Sequence, residues 1–176
     1  ATGRMDLGMS RFASALSAIV AALVIYALGK RWFSRRAGVL AAIMWVTSWM
    51  TVEWARFSRM DMMMATLILC GVLLADVAAA ADGRRRTYLW LLSCLAVGLS
   101  ALTKNLLVLF FFAPAVVAIW RAREGRWLMP WKSAIAGLAV TLIPYALWAI
   151  AAETARPGHL AAMWNYQAGE GIVEHP

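Results

Sequence analysis

The sequence predicts an all-α, polytopic transmembrane bundle of about six helices. Of its 176 residues, 63% are hydrophobic, which is far above the share in a soluble domain of this length. The apolar residues form blocks instead of alternating with polar ones, and each block approaches the length that crosses about 30 Å of hydrocarbon as a helix. A backbone in lipid must satisfy its own polar groups, so helices are expected throughout.

Six apolar blocks follow one another along the chain. The predicted helices lie near residues 12–28, 37–52, 60–81, 88–102, 106–120 and 133–152. The fourth and fifth blocks are short, and they can also form one pair bent around Thr103, Lys104 and Asn105. Short connections predict antiparallel neighbours. No linker divides the chain, so residues 1–176 are treated as a single transmembrane domain with an outward segment at 153–176.

Charged and turn-forming residues separate the blocks. The loops after the first, third and fifth blocks hold most of the 17 basic residues: Lys30, Arg31, Arg35, Arg36, Arg84, Arg85, Arg86, Arg121, Arg123, Arg126 and Lys132. With six crossings these three loops share one side of the membrane, and the positive-inside rule places them in the cytoplasm. The stretch Glu53–Asp61, Lys104 and the chain after Glu153 then face outward.

Charge and cysteine content exclude other classes. The net charge is +8, but the basic residues lie in loops between apolar blocks, where they act as topological signals; membrane lipids are the expected partners, and no nucleic acid is expected. Cys70 and Cys94 lie inside apolar blocks and are predicted to be small buried hydrophobes without disulfide or metal spacing. The first residue is not Met and no signal peptide is visible, so we expect an interior piece of a longer protein.

The stretch Glu53–Asp61 carries four charges in a chain that otherwise suits lipid. A carboxylate or guanidinium beside lipid costs at least a few kcal/mol unless it is paired or wet, so Glu53, Arg56, Arg59 and Asp61 indicate a site. At about 100° per residue Glu53 and Arg56 can pair, whereas Asp61 lies about 160° from Arg59 on a continuous helix. A helix that begins near Ser58 puts Asp61 in its first turn, where the macrodipole favours an anion. Asp61 is then either a helix-start residue or a carboxylate facing an outward cavity.

Lys104 is the second candidate, because it lies between two apolar blocks. It can snorkel to the membrane surface, or it can present a compact cation to a phosphate. Arg56 and Arg59 could add bidentate phosphate contacts. Asp76, in the inner half of the third block, is interpreted as a buried hydrogen-bonding or snorkelling residue.

Histidines give a weaker signal. His159 is interpreted as an interfacial residue. His175 lies near Glu170 and Glu174, so a divalent metal is conceivable there, but the spacing fits no strong ligand pattern and no metal site is predicted.

Five short motifs, in this order, carry a resemblance to one family. They are Ser10-Arg-Phe-Ala-Ser-Ala-Leu-Ser-Ala, Arg36-Ala-Gly-Val-Leu-Ala-Ala, Ala55-Arg-Phe-Ser-Arg-Met-Asp61, Leu99-Ser-Ala-Leu-Thr-Lys104 and Trp164-Asn-Tyr-Gln-Ala-Gly-Glu170. The chain resembles the bacterial polyprenyl-phosphate-sugar glycosyltransferases, the aminoarabinose transferase and protein-mannosyltransferase-like group with the C-type glycosyltransferase fold. The chain would then be a fragment of that larger membrane domain, in the bacterial inner membrane.

The resemblance implies transfer of a sugar from an undecaprenyl-phosphate carrier to a lipid, protein or glycan acceptor on the outer face of that membrane. Asp61 matches the family's second functional acid and is the expected catalytic residue. Lys104 matches the family's cavity lysine and is expected to bind the substrate, together with Arg56, Arg59 and Glu170. The family's catalytic carboxylate lies in a first outward loop that this chain does not contain. Asn105 replaces a usual Gly, and residues 171–176 replace a usual His and Arg-Phe, which leaves a metal cofactor open.

Two other classes compete with the transferase. A secondary transporter would use the same charges as a substrate or ion pathway, but no inverted repeats or paired broken helices are visible. A noncatalytic membrane subunit is the third class. An outward loop with an Asp-Glu pair, upstream of this chain, would favour the transferase.

Overall fold

A computed structural model describes residues 7–57, 60–103, 112–113, 115–117, 119 and 130–162, with side chains from Arg11 onward. Its helices are α1 (Leu7–Trp32), α2 (Arg35–Thr47), α3 (Trp49–Arg56), α4 (Met60–Ala79), α5 (Gly83–Thr103) and α6 (Trp131–Ala155). The described residues contain no strand, and those between 112 and 119 are also helical. The all-α prediction is confirmed.

Four helices in the described part of the chain are long and apolar enough to cross a membrane. They are Arg11–Trp32, Met60–Ala79, Gly83–Thr103 and Trp131–Ala155. The sequence predicted a short fourth block, and this prediction is wrong. Helix α5 extends through the polar residues 84–87 and reaches a length of 21 residues. The fifth predicted block lies largely outside the described residues, and so does most of the bend proposed around Thr103.

The second predicted block is wrong as a single helix over 37–52. It forms α2 and α3, which meet at Ser48, whose backbone is extended at φ −61° and ψ 128°. The Thr47 hydroxyl turns back onto the Ile43 carbonyl at 2.8 Å. Adjacent β-branched and hydroxyl side chains weaken a helix and compete for its backbone, which explains a break that hydrophobicity alone does not reveal.

Helices α1 and α4 lie side by side and run in the same direction. The Thr66 hydroxyl donates to the Ser17 carbonyl at 2.9 Å, and farther along both helices Arg31 Nε lies 2.5 Å from Asp76 Oδ2. Residue numbers rise together between these two contacts, so the helices are parallel. The intervening α2 and α3 therefore return the chain to the end where α1 begins, and Trp45 of α2 donates its indole N–H to α1 on the way.

Helix α5 runs antiparallel to α4 and parallel to α6. The Ser93 hydroxyl donates to the Gly71 carbonyl of α4 at 2.7 Å. On the α6 side, Trp90 Nε1 donates to the Ser133 carbonyl at 3.1 Å. Farther along, Gly98 lies so close to α6 that a Cβ added to it would be 2.6 Å from the Thr141 carbonyl oxygen. Such close backbone approach through small residues is typical of helix packing in lipid.

These directions collect the basic residues at one end of the bundle, which we call the basic end. Its described charged residues comprise eight cations and two acids: Lys30, Arg31, Arg35, Arg36, Arg84, Arg85, Arg86, Lys132, Asp76 and Asp82. Both acids are in ion pairs, Asp76 with Arg31 and Asp82 with Arg86. The loops expected on one side of the membrane thus share one end of the bundle wherever the structure describes them.

The Asp76 carboxylate is buried, as the sequence indicated. Its side chain is 8% exposed, whereas that of Arg31 is 36% exposed. The pair joins the last turns of α1 and α4, where the hydrophobic core formed by Val24, Leu28 and Ala75 ends. It therefore fixes the register of two parallel helices at the basic end.

We expect Asp76→Ala to destabilise the folded protein by about 1–3 kcal/mol. Breaking a fully buried pair costs about 3–5 kcal/mol, but the exposed part of Arg31 can still reach water. The measurement is thermal unfolding in detergent. Asp82→Ala is the matched control, because it breaks an ion pair whose acid is 98% exposed, and it should leave the transition nearly unchanged. Equal losses in the two variants would contradict a structural role for the buried pair.

Candidate functional site

The bundle end opposite the basic end, here called the site end, holds one end of each of four long helices and the short helix α3. α1 and α4 begin there because they are parallel, and α5 and α6 end there because they run the other way. Its described charged residues are balanced in sign: Arg11, Glu53, Arg56, Asp61, Glu153 and Arg156. This balance contrasts with the excess of cations at the basic end.

Asp61 lies in the first turn of α4, which begins at Met60. The expectation of a carboxylate at a helix start is confirmed. Its side chain is half-buried beside Met62, which is 0% exposed. The unsatisfied N–H groups and the macrodipole of the first turn favour a negative charge there.

Glu53 and Arg56 lie on α3, separate from Asp61. Because α3 ends at Arg56 and α4 begins at Met60, the helical phasing expected across residues 53–61 does not apply. Thr51 is the buried residue of α3, and Glu53 and Arg56 lie about 200° and 140° around the helix from it. In the described part of the chain Glu53 and Arg56 form no ion pair with each other; Glu53 is half-buried and Arg56 is exposed.

Lys104 lies outside the described residues, but its neighbour Thr103 ends α5 at the level of Asp61. The contact between Ser93 and Gly71 joins α5 to α4. Thr103 is ten residues beyond Ser93, and Asp61 is ten residues before Gly71, so both lie about 15 Å from that contact toward the site end. Helix α5 therefore ends at the level of Asp61, and the predicted cavity lysine is the next residue in the sequence. Arg59, Glu170 and His175 also lie outside the described residues.

Arg11 belongs to the site end, although the sequence did not single it out. The buried side of α1 includes Ser14, Ala18 and Ala21, and Arg11, which is itself exposed, continues this face one turn farther out. Measured from the contact between α1 and α4, Arg11 lies about 9 Å and Asp61 about 7.5 Å toward the site end. The sequence alone does not show that Arg11 and Asp61 share a level, because this depends on the register between α1 and α4. A lone Arg near a helix start is otherwise interpreted as a snorkelling residue.

Glu153 organises the turn that follows α6. Its two carboxylate oxygens accept hydrogen bonds from the backbone N–H groups of Gly158, at 2.6 Å, and Leu160, at 3.1 Å. Gly158 has a φ of +84°, a left-handed conformation that suits glycine. A new helical turn begins at His159, whose ring lies edge-on to Trp148 with 6.5 Å between ring centroids.

In the ranges that the structure describes, no three His, Cys, Asp or Glu side chains gather closely enough to hold an ion. Both cysteines are free; Cys94 is buried and Cys70 is half-buried.

We expect Glu153→Ala to open the turn at residues 156–160. The charged carboxylate accepts both backbone hydrogen bonds, so its loss should accelerate exchange of the Gly158 and Leu160 amide hydrogens several-fold. The measurement is hydrogen–deuterium exchange of the folded protein. Thr154→Ala, at the exposed neighbouring residue, is the control and should leave both amides protected. Unchanged protection in Glu153→Ala would contradict the capping role.

Comparison with known proteins gives a family match. A sequence profile described as dolichyl-phosphate-mannose-protein mannosyltransferase matches residues 6–150, which include Arg11, Glu53, Asp61 and Lys104. The undecaprenyl phosphate-alpha-4-amino-4-deoxy-L-arabinose arabinosyl transferase 2 of Proteus mirabilis (strain HI4320) is 25% identical over 162 residues. The alignment covers 89% of this chain but 28% of that relative, so the chain spans less than a third of its length. No solved structure matches the chain.

Proposed function

The chain belongs to the dolichyl-phosphate-mannose-protein mannosyltransferase family, and from this membership we propose that it is part of a polyprenyl-phosphate-dependent membrane glycosyltransferase. The donor is a sugar on undecaprenyl phosphate, and the acceptor is a lipid, protein or glycan. The profile match over residues 6–150 is the observation that carries this proposal, because it includes both Asp61 and Lys104.

The proposed reaction is displacement at the sugar C1 carbon. The acceptor hydroxyl oxygen forms the new bond to C1, the bond from C1 to the phosphate oxygen breaks, and polyprenyl phosphate leaves with the electron pair. The hydroxyl proton passes to a base, which by the family resemblance is a carboxylate of a first outward loop. Negative charge develops on the leaving phosphate, and fixed cations in a water-poor site stabilise it.

The site end supplies residues for both parts of this reaction. Lys104, Arg56 and Arg59 are proposed to hold the donor phosphate, and Arg11 joins them because it lies at the level of Asp61. The half-buried Asp61 orients the acceptor hydroxyl or a neighbouring cation. Glu170 is proposed to contact the substrate, and no step is assigned to a metal.

We propose that the site end faces the periplasm and that the basic end lies in the cytoplasm of a bacterial inner membrane. The support is the charge distribution: eight of the ten described charged residues at the basic end are cations. Cations near the ends of membrane spans stay on the cytoplasmic side during insertion. The donor sugar would then be transferred on the outer face.

We expect Asp61→Asn and Lys104→Ala to lower transfer by about 10²-fold or more in the full-length protein, the scale at which lost acid–base or charge stabilisation acts. The assay incubates the protein with labelled undecaprenyl-phosphate sugars and identifies the product. Asp82→Asn, at the basic end, is the matched control and should keep normal turnover. Near-normal turnover in Asp61→Asn would contradict the catalytic role proposed for Asp61. Movement of intact donor across vesicles without transfer would identify a transporter instead.

The same assay tests whether Arg11 contributes to transfer more than another cation of the site end does. Arg11→Gln should lower the catalytic efficiency toward the donor by about 10-fold or more, whereas Arg11→Lys should retain part of it, since a lysine keeps the charge but loses the bidentate geometry. Arg156→Gln removes a cation that is exposed like Arg11 but lies beyond the end of α6, and it should have little effect. Equal activity of Arg11→Gln and Arg156→Gln would remove Arg11 from the site.

A further inference from the structure

A stripe of exposed side chains runs along α5 from the basic end toward the middle of the bundle. Its members are Arg84, Tyr88, Leu92, Leu95 and Leu99, and the last four are 68%, 50%, 37% and 40% exposed. At about 100° per residue they lie within an arc of about 80°. The stripe is about 22 Å long, from the rise of 1.5 Å per residue.

The stripe faces away from both described neighbours of α5. Ser93 and Val97 face α4, where a Cβ on Gly71 would lie 2.7 Å from the Val97 side chain. Cys94 faces α6, because the Thr141 hydroxyl donates to its carbonyl at 3.2 Å. The centre of the stripe lies about 120° around the helix from Cys94 and about 140° from Ser93. It therefore points out of the four described spans.

The first turn of α5 carries an unusual charge pattern. The positive end of the helix macrodipole favours acids there, yet the turn begins at Gly83, contains no acid and holds three arginines, Arg84, Arg85 and Arg86. Arg86 is paired with Asp82 at 3.1 Å, and the other described acid of this end, Asp76, is paired with Arg31. Arg84 and Arg85 are exposed and have no carboxylate partner among the described residues. An external anion would relieve this repulsion.

We propose that the stripe binds an anionic phospholipid from the leaflet around the basic end. Its phosphate lies against Arg84 and Arg85 at the start of α5, and the Tyr88 ring lies at the headgroup level, where aromatic side chains are favoured. One acyl chain runs along Leu92, Leu95 and Leu99. Tyr88 and Leu99 are about 16 Å apart along the helix, close to half of a hydrocarbon core about 30 Å thick. A zwitterionic lipid fits less well, because its own cation faces the two arginines.

The test uses the full-length protein in a neutral detergent, with phosphatidylglycerol or phosphatidylcholine of the same acyl chains added back. Native mass spectrometry measures lipid bound, and thermal unfolding measures the gain in stability. Wild type should prefer phosphatidylglycerol. The double variant Arg84→Gln/Arg85→Gln should bind it about 5-fold more weakly for each cation removed.

Lys30→Gln/Arg36→Gln is the matched control, because it removes the same charge at the same end but away from α5. It should change the affinity less than twofold. Equal binding of the two lipids to wild type, or equal losses in the two double variants, would overturn the proposal. If the α5 double variant yields no folded protein, Arg84→Gln alone carries the same test, with an expected loss of about 5-fold. This binding does not depend on transfer activity, so the glycosyltransferase proposal stands or falls separately.

Discussion

The parallel docking of α1 on α4 is the constraint on which the rest of the structure depends. The Arg31–Asp76 ion pair holds the two helices at the basic end, and the Thr66 hydroxyl on the Ser17 carbonyl holds them nearer the site end. In lipid these polar groups have few alternative partners, so the contacts select one register. Parallel neighbours in turn require a return element, which α2 and α3 provide despite the break at Ser48.

The same arrangement separates the charges by role. At the basic end both described acids, Asp76 and Asp82, form ion pairs. The remaining exposed cations can therefore interact with a charged membrane surface. At the site end a half-buried carboxylate, Asp61, shares its level with Arg11 on α1 and with Thr103 at the end of α5. Three helices from distant parts of the sequence thus converge on one level. The proposed site for a lipid-linked phosphate and an acceptor hydroxyl lies at this level.

Much of this could be predicted from block lengths and charge placement, because a spanning helix needs a minimum apolar length whatever its neighbours are. Four spans and the helix-start position of Asp61 follow from that rule. The break at Ser48 could not be predicted, since one serine in an apolar run is a weak signal against membrane insertion. Arg11 could not be recognised, because its relation to Asp61 exists only in the register between two helices. The extent of α3 could not be predicted either, since the second apolar block was expected to end at residue 52, whereas α3 continues to Arg56 before α4 begins at Met60.

The central claim is that the basic end and the site end face opposite sides of the membrane. Labelling single cysteines in intact cells with a membrane-impermeant maleimide tests it most directly, in a full-length protein whose own reactive cysteines have been replaced. Phe57→Cys and Ala155→Cys report on the site end, and Phe33→Cys and Ala80→Cys report on the basic end; all four positions are exposed. The account predicts labelling of the first pair from outside and of the second pair only after permeabilisation. Labelling of Phe57→Cys and Ala80→Cys from the same side would contradict it.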